Sequence, residues 1–433
     1  MVRGAKPLGS DYDSDMLRGL RVLAVSALLV AGSAAGARAQ DLPRGTIVDD
    51  VTCETDPAQH YALYVPSAYA PERRWNLLLA FHAGARGRQM VEKYQAAAEQ
   101  YGYVVAGSNT SRNGPWAVSL AAVQCMAADL GRRFSIDAKR VYLTGLSGGA
   151  RVAFQVALGK NDIAGVIASS AGYPDSRPRT TVPFPVFATA GSEDFNYLEM
   201  RQLDRKLTSP HYLAVFSGGH TLPPDSVAFE AIEWMELQAM KSGRATRDEA
   251  LVGRLFEKRQ RAIAASASPA ETVHLLDVLV SDFTGLRDVS AEAARARDLL
   301  KQPDVKKALA RQRADEDAEA QMLRDLFDLE SGLSDESRRN LVLMQLRDRL
   351  SKLAAAANAD GASPARGQAR RVLRAISAGA AERVQDREYR ALIDQYGLRG
   401  VRSPIPGPYA AVAFFSRTSP KTATAFFISS IVP

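Results

Sequence analysis

Several things are scarce in this chain, and each scarcity removes a class of function. Only two of its 433 residues are cysteine, Cys53 and Cys125. No metal-ligand spacing, glycine-rich phosphate loop or dinucleotide fingerprint occurs anywhere, so the sequence implies no cofactor. Charge of one sign is also lacking: 55 basic residues against 48 acidic leave a net charge of +7. That surplus is small for the length, and with no recognisable binding motif beside it, it does not point to nucleic acid. Apolar runs are short. The longest near the start, Val22 to Ala35, falls below the length of a membrane span, so no stable span is expected. Histidine is rare too, with His60, His82, His211, His220 and His274 as the full set. A general base has few places to come from.

The start of the chain reads as a leader. Arg18 and Arg21 flank the apolar stretch, and Ala37-Arg38-Ala39 follows it, the pattern of a signal peptide cleaved before Gln40. Asp11, Asp13 and Asp15 make an odd leader, which marks Met16 as an alternative start. No cysteine lies near the cleavage site, so no lipid anchor is expected, and the address implied is periplasmic or secreted. Export permits a Cys53–Cys125 bridge that would staple the arm before the first strand to a helix over 117–132. Two buried free thiols are the other reading.

The densest motif is Gly145-Leu146-Ser147-Gly148-Gly149, a Gly-x-Ser-x-Gly pattern. Arg140–Thr144 before it reads as a strand and Ala150–Ala157 after it as a helix, which is the context the motif requires. A sharp turn would strain Ser147, demand small neighbours at 145 and 149, and aim helix N–H groups at a reacting carbonyl. The bland alternative is a glycine-rich turn in a buried strand–helix unit. A serine hydroxyl needs a base, and the base an orienting acid. His220 follows the apolar strand Tyr212–Phe216, and active-site residues of parallel sheets collect past strand ends. His211 would lie at the opposite end, and His274 sits in a helical run, 271–280. Two carboxylates, Glu193 and Asp194, follow the apolar strand Pro185–Ala190. A third apolar strand, Asn76–Phe81, runs into the loop His82–Gly87 and a helix over 89–100. The segment Ser108–Trp116 follows the strand Tyr103–Gly107 as a pocket wall, with Trp116 either a substrate-stacking surface or packing beneath its own loop.

Together these residues resemble an α/β-hydrolase serine esterase, nearest the secreted polyhydroxybutyrate depolymerase and feruloyl esterase group. The resemblance rests on the Phe81-His82 loop, Gly145-Leu146-Ser147-Gly148-Gly149, Gly191-Ser192-Glu193-Asp194 and Gly218-Gly219-His220. It covers residues 45–242. It implies an α/β fold, a mainly parallel sheet with flanking helices. It also implies the chain order Ser147, Asp194, His220, with Glu193 the competing acid. The N–H groups of Gly148 and Ala83 would bind the oxyanion, Gly84 being the alternative to Ala83, and His82 would support the loop beside the substrate. That group commonly shows Trp-Pro soon after its histidine, whereas this chain has Thr221-Leu222-Pro223-Pro224. The triad carries over, and the polymer specificity does not.

The function implied is an exported serine hydrolase that cleaves carboxylic esters, small or polymer-attached, through an acyl-enzyme. The rivals are a peptidase on the same fold and a silent core that binds through its C-terminal region. Only a short Pro/Arg loop separates the strand read over 167–173 from Pro185, so no lid is expected. The core should end near Ser242, after a helix over 226–241 that turns Phe229, Ile232 and Trp234 inward. Residues 246–396 read as an all-α region, with helices over 270–279, 321–329 and 336–353 and breaks near 266–269, 302–303 and 360–364. It suggests a helical hairpin array without a repeat period, able to hold a protein or polymer partner. Residues 397–433 read as a flexible tail.

Overall fold

A computed structural model describes residues 42–396, apart from Asn161, Ser176, Pro178, Ala362 and residues 381–385. The leader read over 1–39 and the tail read over 397–433 lie outside the described residues.

Eight strands form one sheet: β1 (Ile47–Thr52), β2 (His60–Tyr64), β3 (Trp75–His82), β4 (Tyr103–Ser108), β5 (Ile136–Leu146), β6 (Gly165–Ser169), β7 (Val186–Gly191) and β8 (His211–Phe216). Their order is β1-β2-β4-β3-β5-β6-β7-β8. β1 pairs antiparallel with β2 and β2 with β4, and every later pairing is parallel. The parallel strands are continuous apolar runs because helices cover both faces. On one face lie α2 (Trp116–Arg133), α3 (Gly148–Leu158) and α4 (Tyr197–Lys206), packing Met126, Leu130, Phe154 and Met200 onto the sheet. On the other lie α1 (Gly87–Tyr101) and α5 (Asp225–Lys241), which bury Met90, Tyr94, Ile232 and Trp234. Phe229 packs partly buried against that same layer.

Two expectations need correction. Cys53 does not precede the first strand; it follows β1. The strand expected over 167–173 ends at Ser169, because Ser170 adopts a positive φ of 60° and turns the chain out of the sheet. Cys53 and Cys125 are free and buried, at 1% and 6% exposure. Burial, and then a hydrogen bond with Cys125, push the Cys53 thiol pKa up.

Among the described residues, seven α-helices follow α5: α6 (Glu249–Ala264), α7 (Pro269–Phe283), α8 (Ser290–Lys301), α9 (Pro303–Ser331), α10 (Arg339–Ala357), α11 (Pro364–Ala380) and α12 (Arg387–Tyr396). The first two of these starts are written locally. Asp248 caps α6 by accepting from Leu251 N–H at 2.9 Å. Ser268 caps α7 ahead of Pro269, and Glu271 reaches back to Ala267 N–H at 2.8 Å, satisfying N–H groups that a helix start leaves unpaired. The helices are not a tethered appendage. One of their cores takes Leu237 and Met240 from α5, and the other takes Leu198 from α4. Arg201 and Arg205 of α4 both pair with Glu316 of α9, and Trp234 Nε1 donates to buried Asp282 of α7 at 2.6 Å.

Candidate active site

The site forms where β5, β3, β7 and β8 end. β5 stops at Leu146, α3 begins at Gly148, and Ser147 between them is held at φ 57°, ψ −121°. For a serine that is a strained conformation, and it persists only where the surroundings impose it. Here its N–H donates to Ser169 O of β6 at 2.9 Å. Close backbone contacts explain the glycines on either side. A Cβ on Gly145 would collide with the Gly149 backbone, and one on Gly149 with the Phe81 carbonyl at the end of β3. Ser147 is set deep, at 5% exposure.

The loops after β7 and β8 meet. Ser192 N–H donates to Phe216 O at 2.7 Å and Glu193 N–H to Gly218 O at 2.8 Å. Gly191 permits this approach, since a Cβ there would strike the Gly218 and Gly219 carbonyls. Asp194, fully buried, places Oδ1 2.8 Å from His220 Nδ1. An ionised carboxylate only accepts, so the imidazole proton lies on Nδ1 and the Nε2 lone pair is left for a second partner. Nε2 is buried and finds no protein partner among the described residues. Hydrogen bonds of this kind are often open before substrate arrives. Asn196 fixes the acid from behind: its N–H donates to Asp194 Oδ1 at 2.8 Å and its Nδ2 to Ser170 O at 2.7 Å. Phe195 stacks on the His220 ring, with centroids 4.0 Å apart. Glu193, the competing acid, turns away from His220 to Arg370 and Arg374, each at 2.7 Å. Partial burial raises its pKa, but the Arg370 hydrogen bond and the charges of Arg374, Arg370 and Arg366 outweigh that and hold it below its ordinary value.

The loop after β3 stands beside the serine turn. A Cβ on Gly148 would lie 3.6 Å from Ala83 Cβ. Neither the Ala83 nor the Gly148 N–H is engaged by another protein group among the described residues. Gly84 N–H is not free in this way, because it donates to His82 Nδ1 at 2.8 Å. His82 is buried and neutral, its pKa lowered to about 4 by burial and then by the neighbouring Arg86 and His220. Its lone pair braces the loop, and its proton lies on Nε2. Asn113 N–H donates to Ala83 O at 2.8 Å, and Asn113 Oδ1 fills the space a Gly148 Cβ would need. Trp116 opens α2, half-buried, and packs against the core on that face of the sheet.

His211 begins β8 at the far end and binds Ser209 O at 2.8 Å. Partly buried His274 lies near it in α7, its pKa lowered by burial. His60 starts β2 beside Asp50, at 3.2 Å. Asn113, Phe195 and Asn196 escaped the sequence reading as individual residues. The amides were visible only as members of polar loops, and nothing local marks Phe195 as the partner of a histidine ring.

The sheet order, its antiparallel first strands and the serine on the β5–α3 turn define an α/β-hydrolase fold,. No protein-family model matches the chain, and no curated protein does. Among solved structures it is similar to a thermostable esterase, at 18% identity and TM-score 0.34, covering 43% of this chain and 61% of that one. It is also similar to Est1E from Butyrivibrio proteoclasticus, at 14% identity and TM-score 0.36, covering 44% and 99%. A third is esterase B from Lactobacillus rhamnosis, at 16% identity and TM-score 0.39, covering 48% and 92%. The chain thus spans less than two thirds of the first of these esterases. Likeness at this level says nothing of what this chain acts on.

Proposed function

We propose that this chain is a serine hydrolase that cleaves carboxylic esters. The observation that carries the reading is the Asp194–His220 pair, 2.8 Å apart, on the loops that follow β7 and β8 as the strained Ser147 turn follows β5. His220 Nε2 takes the Ser147 proton as Oγ attacks the ester carbonyl. Asp194 holds the ring in the required tautomer and stabilises the imidazolium. The Gly148 and Ala83 N–H groups receive the oxyanion, and removing one such donor typically costs about 100-fold or more in turnover. His220 then protonates the departing alcohol. A water that gives its proton to Nε2 attacks the acyl-enzyme, and His220 returns that proton to Ser147 Oγ as the acid leaves. Every step uses groups of this chain and water.

The acid loop has a support the sequence reading did not anticipate. The segment between β6 and β7 contributes no helix or strand among the described residues, while α11 packs against the acid loop. The substrate we propose is a small-molecule or polymer-attached carboxylic ester, met at the bacterial envelope or outside the cell. That address rests on the leader pattern in residues 16–39.

The test is hydrolysis of short-chain p-nitrophenyl esters by the mature chain from Gln40, beside a folded Ser147→Ala variant. Turnover that vanishes in the variant supports the reading. Equal rates in the two proteins would overturn it.

A further inference from the structure

Three arginines of α11 reach across to the loop that carries Asp194. Arg370 Nη1 meets Glu193 Oε1 at 2.7 Å. Arg374 meets Glu193 Oε2 at 2.7 Å and also donates from Nη1 to the Glu193 carbonyl at 2.9 Å. Arg371 Nη1 donates to Ser192 O at 2.8 Å, while its other donors bind Glu319 of α9, a carboxylate 1% exposed. Two consecutive carbonyls and one side chain, immediately before Asp194, are therefore fixed by one helix. The guanidinium of Arg374 also lies against Gly219, leaving no room there for a Cβ, so it touches the residue before His220 as well. Phe195, stacked on the His220 ring, packs with Tyr197 and Leu198 against the core of α9–α12.

Ion pairs on open surface are worth little, because water competes and long side chains lose freedom. These differ. The Arg371–Glu319 pair is largely buried, and planar guanidinium forks grip backbone carbonyls in fixed directions. A shift of about 1 Å in an acid or base costs on the order of 100-fold in rate.

We propose that α11 positions the acid and base of this hydrolase. Arg374, with Arg370 and Arg371, clamps the 191–196 loop so that Asp194 meets His220, which makes the C-terminal helical region part of the catalytic apparatus. This rests on the reading of Ser147, His220 and Asp194 given above. The arginines are positioning residues, since they touch the loops and not the reacting atoms.

The experiment is a double-mutant cycle in the full chain. Arg374→Gln, Glu193→Gln and the double variant are compared with wild type for kcat and KM on p-nitrophenyl butyrate, with near-UV circular dichroism as a control for folding. The expected result is a fall in kcat of about tenfold or more in each single variant, with KM within about twofold. The double variant should be no worse than the poorer single, as residues in one network are not additive. Arg374→Lys, which keeps the charge and loses the fork, should recover part of kcat. If Arg374→Gln loses its near-UV signal, Glu193→Gln decides, because it leaves the helix untouched. Folded single variants with wild-type kcat would overturn the clamp and leave the triad standing. A wild type no faster than Ser147→Ala would overturn both.

Discussion

For His220 to serve Ser147, its proton must sit on Nδ1 and its Nε2 must be free, and a single carboxylate oxygen sets both conditions. Replacing Asp194 with Asn presents an N–H or a weaker acceptor to Nδ1 and favours the wrong tautomer. Asp194→Asn should lower kcat by about 10⁴-fold while the protein stays folded; a loss under tenfold would exclude Asp194 as the acid. His82 carries a second prediction. Its pKa of about 4 in the folded chain, against 6.5 unfolded, means the unfolded state binds the extra proton between those values. The contribution of His82 to stability is therefore complete above about pH 6.5 and is lost as pH falls towards about 4. Denaturant unfolding at pH 7 and pH 5 should show a smaller pH-dependent loss in His82→Gln than in wild type. An equal loss in the two would show that His82 is not held neutral.

Among the elements, those that hold the site were legible where they are runs of apolar residues ended by polar loops. β3, β5, β7 and β8 are of this kind, and His82, Ser147, Asp194 and His220 could be placed past their ends because parallel strands finish on one edge. β1 was not legible. Its sequence, IVDDVT, breaks the alternation with two acids on a half-exposed edge strand. Nor was α4, whose sequence YLEMRQLDRK is largely polar and gains its helical place by packing onto β7 and α9. The clamp on Glu193 joins residues some 180 positions apart, and no local pattern carries such a contact. Gly191→Ala follows from the same geometry. Its Cβ would strike two carbonyls of the base loop, so the two loops must part, and both activity and thermal stability should fall. At the β1–α2 contact, Cys53 and Cys125 are buried and the Cys53 thiol is pushed up. Neither should react with a maleimide until denaturant is added, since only exposed thiolates react quickly.

In the whole molecule, two helices that flank the sheet, α4 and α5, share cores with the C-terminal helices. Leu198 lies in one helical cluster and Leu237 in another, and the Trp234–Asp282 and Arg201–Glu316 contacts join the flanking helices α5 and α4 to α7 and α9. Residues 246–396 read from sequence as a separate interaction module, because their helices are rich in Ala, Leu and charged residues and carry no catalytic pattern. Packing ties them to the sheet all the same. Calorimetry of the full chain should show one cooperative transition; two well-separated transitions would contradict a shared core.

The proposed nucleophile is tested most directly by reacting the mature chain with a fluorophosphonate and locating the adduct by mass spectrometry of its peptides. One equivalent on Ser147 is expected, absent from Ser147→Ala and much slower to form in Asp194→Asn. A folded protein that takes up no label, or takes it up on another serine, would contradict it.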